Sequence, residues 1–338
     1  MHVFYIHSHI TYVMAKLFIA EHKLLSEEVK FITSRRYALR EESITLDITG
    51  FYNYLEQVSK LNKLFNLNRK IKTLDAQINL LVDNDAFTVY VPQFNHSIFQ
   101  ILSSHKLCEY TVLIEEGITA YKFDESLYLP TKTGLSQFLS SRISKRFVLK
   151  NNHYRPFPLA KFKYAITVNE NGFPFIENKK IVAINREAIA EYAPVVEDGD
   201  LVFVLDSFME RTKISEKEYY VIIKTTLDLL KSKNKKLLVK FHPEQNDEIR
   251  KKTLSYIEHL SKFESVVCLN DSVILELEFL KSKKLMVIGM HTSLLYYAES
   301  FGHKVLSSIK TTSKNPKINH YIDHIMDKDQ KKRYMSYE

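Results

Sequence analysis

Glycine is scarce in this chain, with only seven among 338 residues. No GxGxxG and no GxxxxGK[ST] run occurs, which disfavours a dinucleotide fingerprint or a P-loop, since both need glycines to bring backbone N–H groups against phosphates. Cysteine is scarcer still. Cys108 and Cys268 lie far apart, and neither has a CxxC partner or a nearby zinc-type histidine pattern. Buried apolar thiols and a reducing, cytoplasmic setting are therefore expected. No run of roughly eighteen apolar residues exists, so no membrane span is expected. The opening stretch MHVFYIHSHITYVMAKLFIAEH lacks a basic n-region and a small-residue cleavage site, and Lys16 interrupts it. It reads as strand, turn and helix rather than as a signal peptide.

What is present is an ordinary globular mixture, long enough for two domains. Net charge is +8, which favours anionic partners. The basic residues fall in short clusters at 231–236, 250–252, 281–284 and 328–333. None is long enough to be a nucleic-acid arm, and none is interleaved with aromatics, so nucleic acid is not expected as a partner. Solvated faces are the plain reading of these clusters.

Short β-branched runs alternate with helical patterns. Strands are expected at 2–7, 29–33, 87–92, 110–114, 180–185, 200–206, 236–241, 265–269, 285–289 and 304–308. Helices are expected at 10–22, 51–67, 95–105, 135–144, 215–232, 246–260, 272–281, 292–301 and 316–327. Ser215, three residues before Glu218, forms a capping-box signature. Such alternation implies parallel sheets covered on both faces. It weakens between about 145 and 180, where Asn, Pro and basic residues crowd, and that stretch reads as the connection between two doubly wound halves.

Three local signals sit where a strand ends. In LLVKFHPEQND, Pro243 cannot donate to a ladder and keeps His242 extended, so His242 should stand just past a strand at the edge where parallel sheets bind ligands. Lys240 precedes it by two, and the next helix start offers free N–H groups to an anion. In IEEGITAY, Glu115, Glu116 and Gly117 follow a strand, and paired carboxylates there are costly unless solvated or used. The glycine would permit an unusual backbone angle. In GMHTSLLYYA, Thr292 and Ser293 open an apolar helix, as caps or as a phosphate cradle, with His291 beside them. The similar Glu197-Asp198-Gly199 precedes a strand and reads as turn chemistry.

Acid-acid-Gly, then His-Pro, then a hydroxyl pair, in this order over 110–305, resembles the bacterial sialyltransferases and polysialyltransferases. The residues that carry the likeness are EEG at 115–117, KFHPE at 240–244 and HTS at 291–293. The resemblance implies an α/β protein of the GT-B class, with two Rossmann-like doubly wound domains facing a central cleft. An acceptor-side domain at 1–155 would hold the base, and a CMP-donor domain at 156–315 would follow. A helical tail at 316–338 would pack back on the first domain. It implies Glu115 as general base on the acceptor hydroxyl, supported by Glu116 and Gly117, and His242 protonating or hydrogen-bonding the departing CMP phosphate. Thr292 and Ser293 would hold that phosphate, and Lys240 and Pro243 would line the nucleotide pocket. Glu276, with Glu278 as rival, would hold the ribose. HTS carries Thr where many relatives carry Ser, which preserves the hydroxyl.

The function so implied is inverting transfer of sialic acid from CMP-sialic acid to a galactose or sialic acid of a bacterial surface glycan: lipooligosaccharide, O-antigen or capsule. No metal or other cofactor is required, and no DxD motif is present. The basic clusters would meet anionic lipid peripherally at the inner membrane. The acceptor loops are expected at 7–11, with His9, and at 122–134. Two alternatives stand beside it: a GT-B transferase using CMP-Kdo or CDP-glycerol, and a non-catalytic module that binds an acidic glycan.

Overall fold

The computed structural model describes residues 1–34, 45–56, 66–130, 144–148, 150–212, 214–230, 236–260 and 263–337. The expected helix at 135–144 and the end of the loop at 122–134 lie largely outside the described residues, as does most of the basic cluster at 231–236. The chain divides into two compact units, Met1–Ala188 and Ile189–Glu338.

The first unit is built on a parallel sheet whose described strands are β1 (His2–Ile6), β2 (Val29–Thr33), β3 (Thr45–Asp47), β4 (Phe87–Val91), β5 (Cys108–Ile114), β6 (Phe162–Thr167) and β7 (Lys179–Ile181). Their order is β3-β2-β1-β4-β5-β6-β7. A sheet covered on both faces needs strands that are apolar on both sides, and β1 shows it: Val3, Phe4, Tyr5 and Ile6 are all fully buried. Each such side chain contributes about 1.5–3 kcal/mol of transfer free energy. The helix His9–His22 covers one face, and its buried residues include Val13, Met14, Leu17 and Phe18.

Of the helix expected at 51–67, the described residues show Thr49–Glu56, with 57–65 lying outside them, and a helix that was not expected runs over Leu67–Leu81. The second buries Leu67, Ile71, Leu74 and Ile78, a stripe at helical spacing. β6 was expected to be connecting chain. It extends the first sheet, and with β7 it carries the first unit on to Ala188, so the division falls well after the boundary expected at 155.

The second unit holds a parallel sheet of β8 (Leu201–Val204), β9 (Lys236–Lys240), β10 (Ser265–Cys268), β11 (Met286–Gly289) and β12 (Lys304–Ser307), in the order β10-β9-β8-β11-β12. The order reverses between β8 and β11, which is the topological switch point where doubly wound sheets bind ligands. Gly289 is required there: a Cβ on it would lie 2.9 Å from the Val204 carbonyl oxygen. Gly199, in the turn before β8, has a φ of 94°, and Asp198 Oδ1 accepts from the Lys283 and Lys284 N–H groups. These bonds hold the Asp198 carboxyl below its ordinary pKa. Glu197-Asp198-Gly199 is therefore a structural turn, as its position before a strand implied. The Ser215 capping box also forms, with Ser215 Oγ accepting from the Glu218 N–H and Glu218 Oε2 from the Ser215 N–H.

Residues 316–337 belong to the second unit. Buried Tyr334 donates to the Thr292 carbonyl at 2.7 Å, and the Ser307 N–H donates to the Tyr337 carbonyl at 2.7 Å. Among the described residues no helix is long and apolar enough to cross a membrane.

Candidate active site

In the first unit the carboxyl ends of β1, β5 and β6 bring together His7, Glu115, Glu116 and Thr167. Glu115 is completely buried. Its Oε2 accepts from Tyr121 Oη at 2.7 Å, Thr167 Oγ1 at 2.7 Å and the Val168 N–H at 3.0 Å. One carboxylate thereby ties the end of β5 to the end of β6 and to the turn Ile118–Tyr121. Buried carboxylates are tolerable only with such partners.

Glu116 turns the other way. Its side chain keeps 30% of its surface, and Oε1 pairs with Nε2 of His7, whose ring is buried. A carboxylate oxygen accepts, so the His7 proton is on Nε2. His153 stands within the field of Glu116. Burial pushes its imidazole pKa down, Glu116 opposes that, and Nε2 accepts from Asn95 Nδ2 at 3.2 Å. Gly117 has a φ of 168°, extended backbone open to any residue, and among the described residues nothing lies within 4 Å of where its Cβ would be. The unusual angle expected there does not occur.

In the second unit the site gathers beyond β8, β9 and β11. His242 is held on three sides. Its N–H donates to Gln245 Oε1 at 2.9 Å, its carbonyl accepts from Arg250 Nη2 at 3.1 Å, and Nδ1 accepts from the Glu244 N–H at 3.2 Å. Gln245 is itself anchored on Tyr219 Oη at 2.8 Å. With Nδ1 accepting, a neutral ring carries its proton on Nε2. Burial pushes the His242 pKa below its ordinary value, with Asp206 acting against that. Pro243 is exposed beside it.

Asp206 was not singled out in the sequence. It is buried at the switch point, accepting from the Ser207 N–H at 2.7 Å on Oδ1 and from His291 Nδ1 at 2.8 Å on Oδ2. One carboxylate thus orients His291 and biases His242. Thr292 caps the helix Ser293–Ser300, its Oγ1 accepting from the Leu294 N–H at 3.3 Å. Accepting there leaves the Thr292 hydroxyl proton free to be donated. Ser293 is the first residue of that helix, where the dipole favours an anion.

Lys240 is not presented to a ligand. All three of its N–H bonds go to carbonyls of the loop after β10: Asn270 at 2.8 Å, Asp271 at 3.1 Å and Val273 at 2.8 Å. It pins the loop that leads into the helix Leu275–Lys281. Of the two glutamates on that helix, Glu278 is completely buried and takes Tyr192 Oη at 2.6 Å and the Val195 and Val196 N–H groups at 3.0 Å. Glu276 keeps part of its surface. Burial pushes its carboxyl up to about 7, with Lys240 pulling the other way.

No curated protein sequence matches the chain. Among solved structures it is similar to the GT-B domain of a sialyltransferase from Photobacterium damselae, at 11% identity and a TM-score of 0.48 over 98% of this chain and 99% of the other. It is also similar to a putative UDP-N-acetylglucosamine 2-epimerase from Listeria monocytogenes, at 10% identity and a TM-score of 0.49 over 99% of this chain and 90% of the other. The model of the alpha-2,8-polysialyltransferase family matches residues 3–310, and the chain accordingly belongs to that family of sialyl-transferring glycosyltransferases.

Proposed function

We propose that the protein moves sialic acid from CMP-sialic acid onto a hydroxyl of a galactose or sialic acid at the end of a bacterial surface glycan, with inversion at the anomeric carbon. The observation that carries this reading is the pairing of functions between the two sheet edges. The first unit presents a carboxylate turn after β5, and the second presents a fixed imidazole donor and a hydroxyl-bearing helix start after β9 and β11.

The chemistry follows from the residue types. The sugar leaves through an oxocarbenium-like transition state, so the protein must place the acceptor, take its proton and neutralise the leaving phosphate. The acceptor oxygen bonds to the anomeric carbon as the carbon–oxygen bond to CMP breaks, and the electron pair stays on the phosphate. Nε2–H of His242, Thr292, Ser293 and the helix dipole stabilise that charge. Because burial keeps His242 neutral, it acts as a hydrogen-bond donor rather than as a source of a full proton. Glu276 accepts from the ribose hydroxyls, and Lys240 sets the loop that presents it. No step in this scheme uses a metal.

The reading places the protein in the cytoplasm, where two free cysteines, one of them exposed, stay reduced. Contact with anionic lipid through the basic clusters belongs to the same proposal. The test is incubation with CMP-sialic acid, CMP-Kdo and UDP-sugars in turn, with and without a lactose-type or oligosialic acid acceptor. Acceptor-dependent release of CMP from CMP-sialic acid is expected. Nucleotide release from UDP-sugars alone would overturn the assignment.

A further inference from the structure

We propose that Arg211 holds the carboxylate of the donor sugar, and so selects an acid sugar over a neutral one. This rests on the sialyl-transfer reading and names a residue which that reading leaves unassigned. CMP-sialic acid brings two negative charges to the reacting carbon. One is the phosphate that departs, and the other is a carboxylate whose carbon is two bonds from the departing oxygen. His242 Nε2–H, Thr292, Ser293 and the helix start serve the first. An ionised carboxylate moved out of water needs a partner of its own. Two cations of this edge are already committed. Lys240 gives its protons to the Asn270, Asp271 and Val273 carbonyls. Arg250 gives Nη1 to Asp271 Oδ2 at 2.8 Å and Nη2 to the His242 carbonyl at 3.1 Å.

Arg211 is not committed in this way. It ends the short helix Phe208–Arg211, which follows β8 and Asp206. Nε donates to Glu244 Oε2 at 2.8 Å, Nη1 reaches Tyr321 Oη only at 3.5 Å, and Nη2 has no hydrogen-bond partner among the described residues. Its two partners are each tied to one imidazole of the site. The Glu244 N–H donates to His242 Nδ1, and the Tyr321 ring meets His291 edge-on, with 6.1 Å between centroids. The charge of Arg211 also reaches the site. Burial lowers the His242 pKa most, and of the charged groups around that ring Arg211 lowers it further while Asp206, Glu244 and Glu210 raise it. Ser207 Oγ donates to the same Glu244 oxygen at 3.3 Å, which steadies the partner of the Nε edge. The Nη edge is left as a planar fork, the shape that takes a carboxylate in two parallel bonds. The side chain keeps 40% of its surface, so the fork is open to a ligand arriving from solvent. An ion pair this exposed adds little to stability, so its loss is readable as a loss of binding.

The experiment measures two constants in the full chain, with a lactose-type or oligosialic acid acceptor: the KM for CMP-sialic acid, and the inhibition constant of CMP, which lacks the carboxylate. Wild type is compared with Arg211→Ala, Arg211→Lys and Glu244→Gln. Arg211→Ala is expected to raise the donor KM about 10- to 100-fold, with the CMP constant within about threefold of wild type and the melting temperature close to it. Arg211→Lys, which keeps the charge and loses the fork, should recover only part of the loss. Glu244→Gln, which breaks the ion pair and keeps the guanidinium, should hold the ratio of the two constants within about threefold of wild type. Equal rises in both constants for Arg211→Ala would overturn the proposal, since a residue that only braces the His-Pro turn through Glu244 weakens CMP and donor alike. A donor KM within about threefold of wild type would overturn it as well. Wild type that turns over only CMP-Kdo would end the sialyl reading and not this one, because Kdo bears the same carboxylate and the ratio is then measured on that donor. Wild type that turns over only CDP-glycerol, whose moving group has no carboxylate, would end both.

Discussion

Each unit carries two neighbouring glutamates beside its sheet and buries one of them completely. In the first unit the buried one is Glu115, bonded to Tyr121, Thr167 and the Val168 N–H; in the second it is Glu278, bonded to Tyr192 and the Val195 and Val196 N–H groups. Their companions, Glu116 and Glu276, keep part of their surface. The shared device is a carboxylate that satisfies backbone donors no strand or helix reaches. The difference lies in what holds the companion. Glu116 is bonded to an imidazole, whereas Glu276 sits near Lys240, whose protons are committed elsewhere, and its pKa rises. The first edge pairs its companion carboxylate with an imidazole, and the second holds its companion near its titration point.

The edges should also differ in what their imidazoles do, and His242 gives the largest test. Its Nδ1 accepts from the Glu244 N–H, which in the proposed reading leaves Nε2–H for the ligand, while His7 spends Nε2 on Glu116. His242→Ala should reduce kcat for CMP release by about 10³-fold, close to 4 kcal/mol. If His242 acts as a neutral donor, kcat should not decline as pH rises from 6.5 to 8. A decline tracking its titration would mean that it transfers a full proton, and the two edges would then be more alike than described.

Next in size is the cost of removing a buried tie. Glu278→Ala removes the acceptor of two backbone N–H groups and of the Tyr192 hydroxyl, and should destabilise the second unit by about 3 kcal/mol in urea unfolding. Glu276→Ala should cost far less. Equal losses would show that Glu278 is no more an anchor than its neighbour.

That division of labour was not visible in the sequence, and the reason is geometric. Along β5 the last four residues are all buried, because helices cover both faces of the sheet, so alternation gives no parity to carry on to Glu115 and Glu116. Position after a strand was legible, and it located His242, Thr292 and the acidic turn. Partnership across the sheet was not. Asp206 lies 85 residues from His291, and only its place at the end of a strand could have marked it. β6 was missed because its sequence FKYAIT opens with an alternating Lys in a segment crowded with Asn and Pro, and its four buried residues come only at the end. The helix Leu67–Leu81 was missed, although its buried Leu and Ile fall at helical spacing.

Asp206 yields a smaller effect. It fixes His291 by one hydrogen bond and reaches His242 only through its charge. Asp206→Asn should lower kcat by about tenfold, the scale of one charge-assisted hydrogen bond, and should lower the pKa of His242 further, readable in its imidazole NMR titration. An unchanged His242 titration would separate the two imidazoles and reduce the second edge to a single working histidine.

The smallest effect tests the claim about Glu276. Its carboxyl titrates near 4.5 in the unfolded chain and is pushed up to about 7 in the folded protein. Between those values the folded state binds more proton, so the stability this group contributes is full below about 4.5 and is lost as pH rises through about 7. A sealed group would show a larger change, but Glu276 keeps part of its surface, and about 1 kcal/mol is expected. His242 runs in the opposite sense: with its pKa depressed, its contribution is present above about 6.5 and is lost as pH falls. Unfolding curves of wild type alone would mix the two. The difference between Glu276→Gln and wild type removes the histidine from the comparison, and it should change steadily from pH 4.5 to 7 and then level. A flat difference would mean that Glu276 ionises as readily in the folded protein as in the unfolded chain, and the contrast between the two edges would rest on His7 alone.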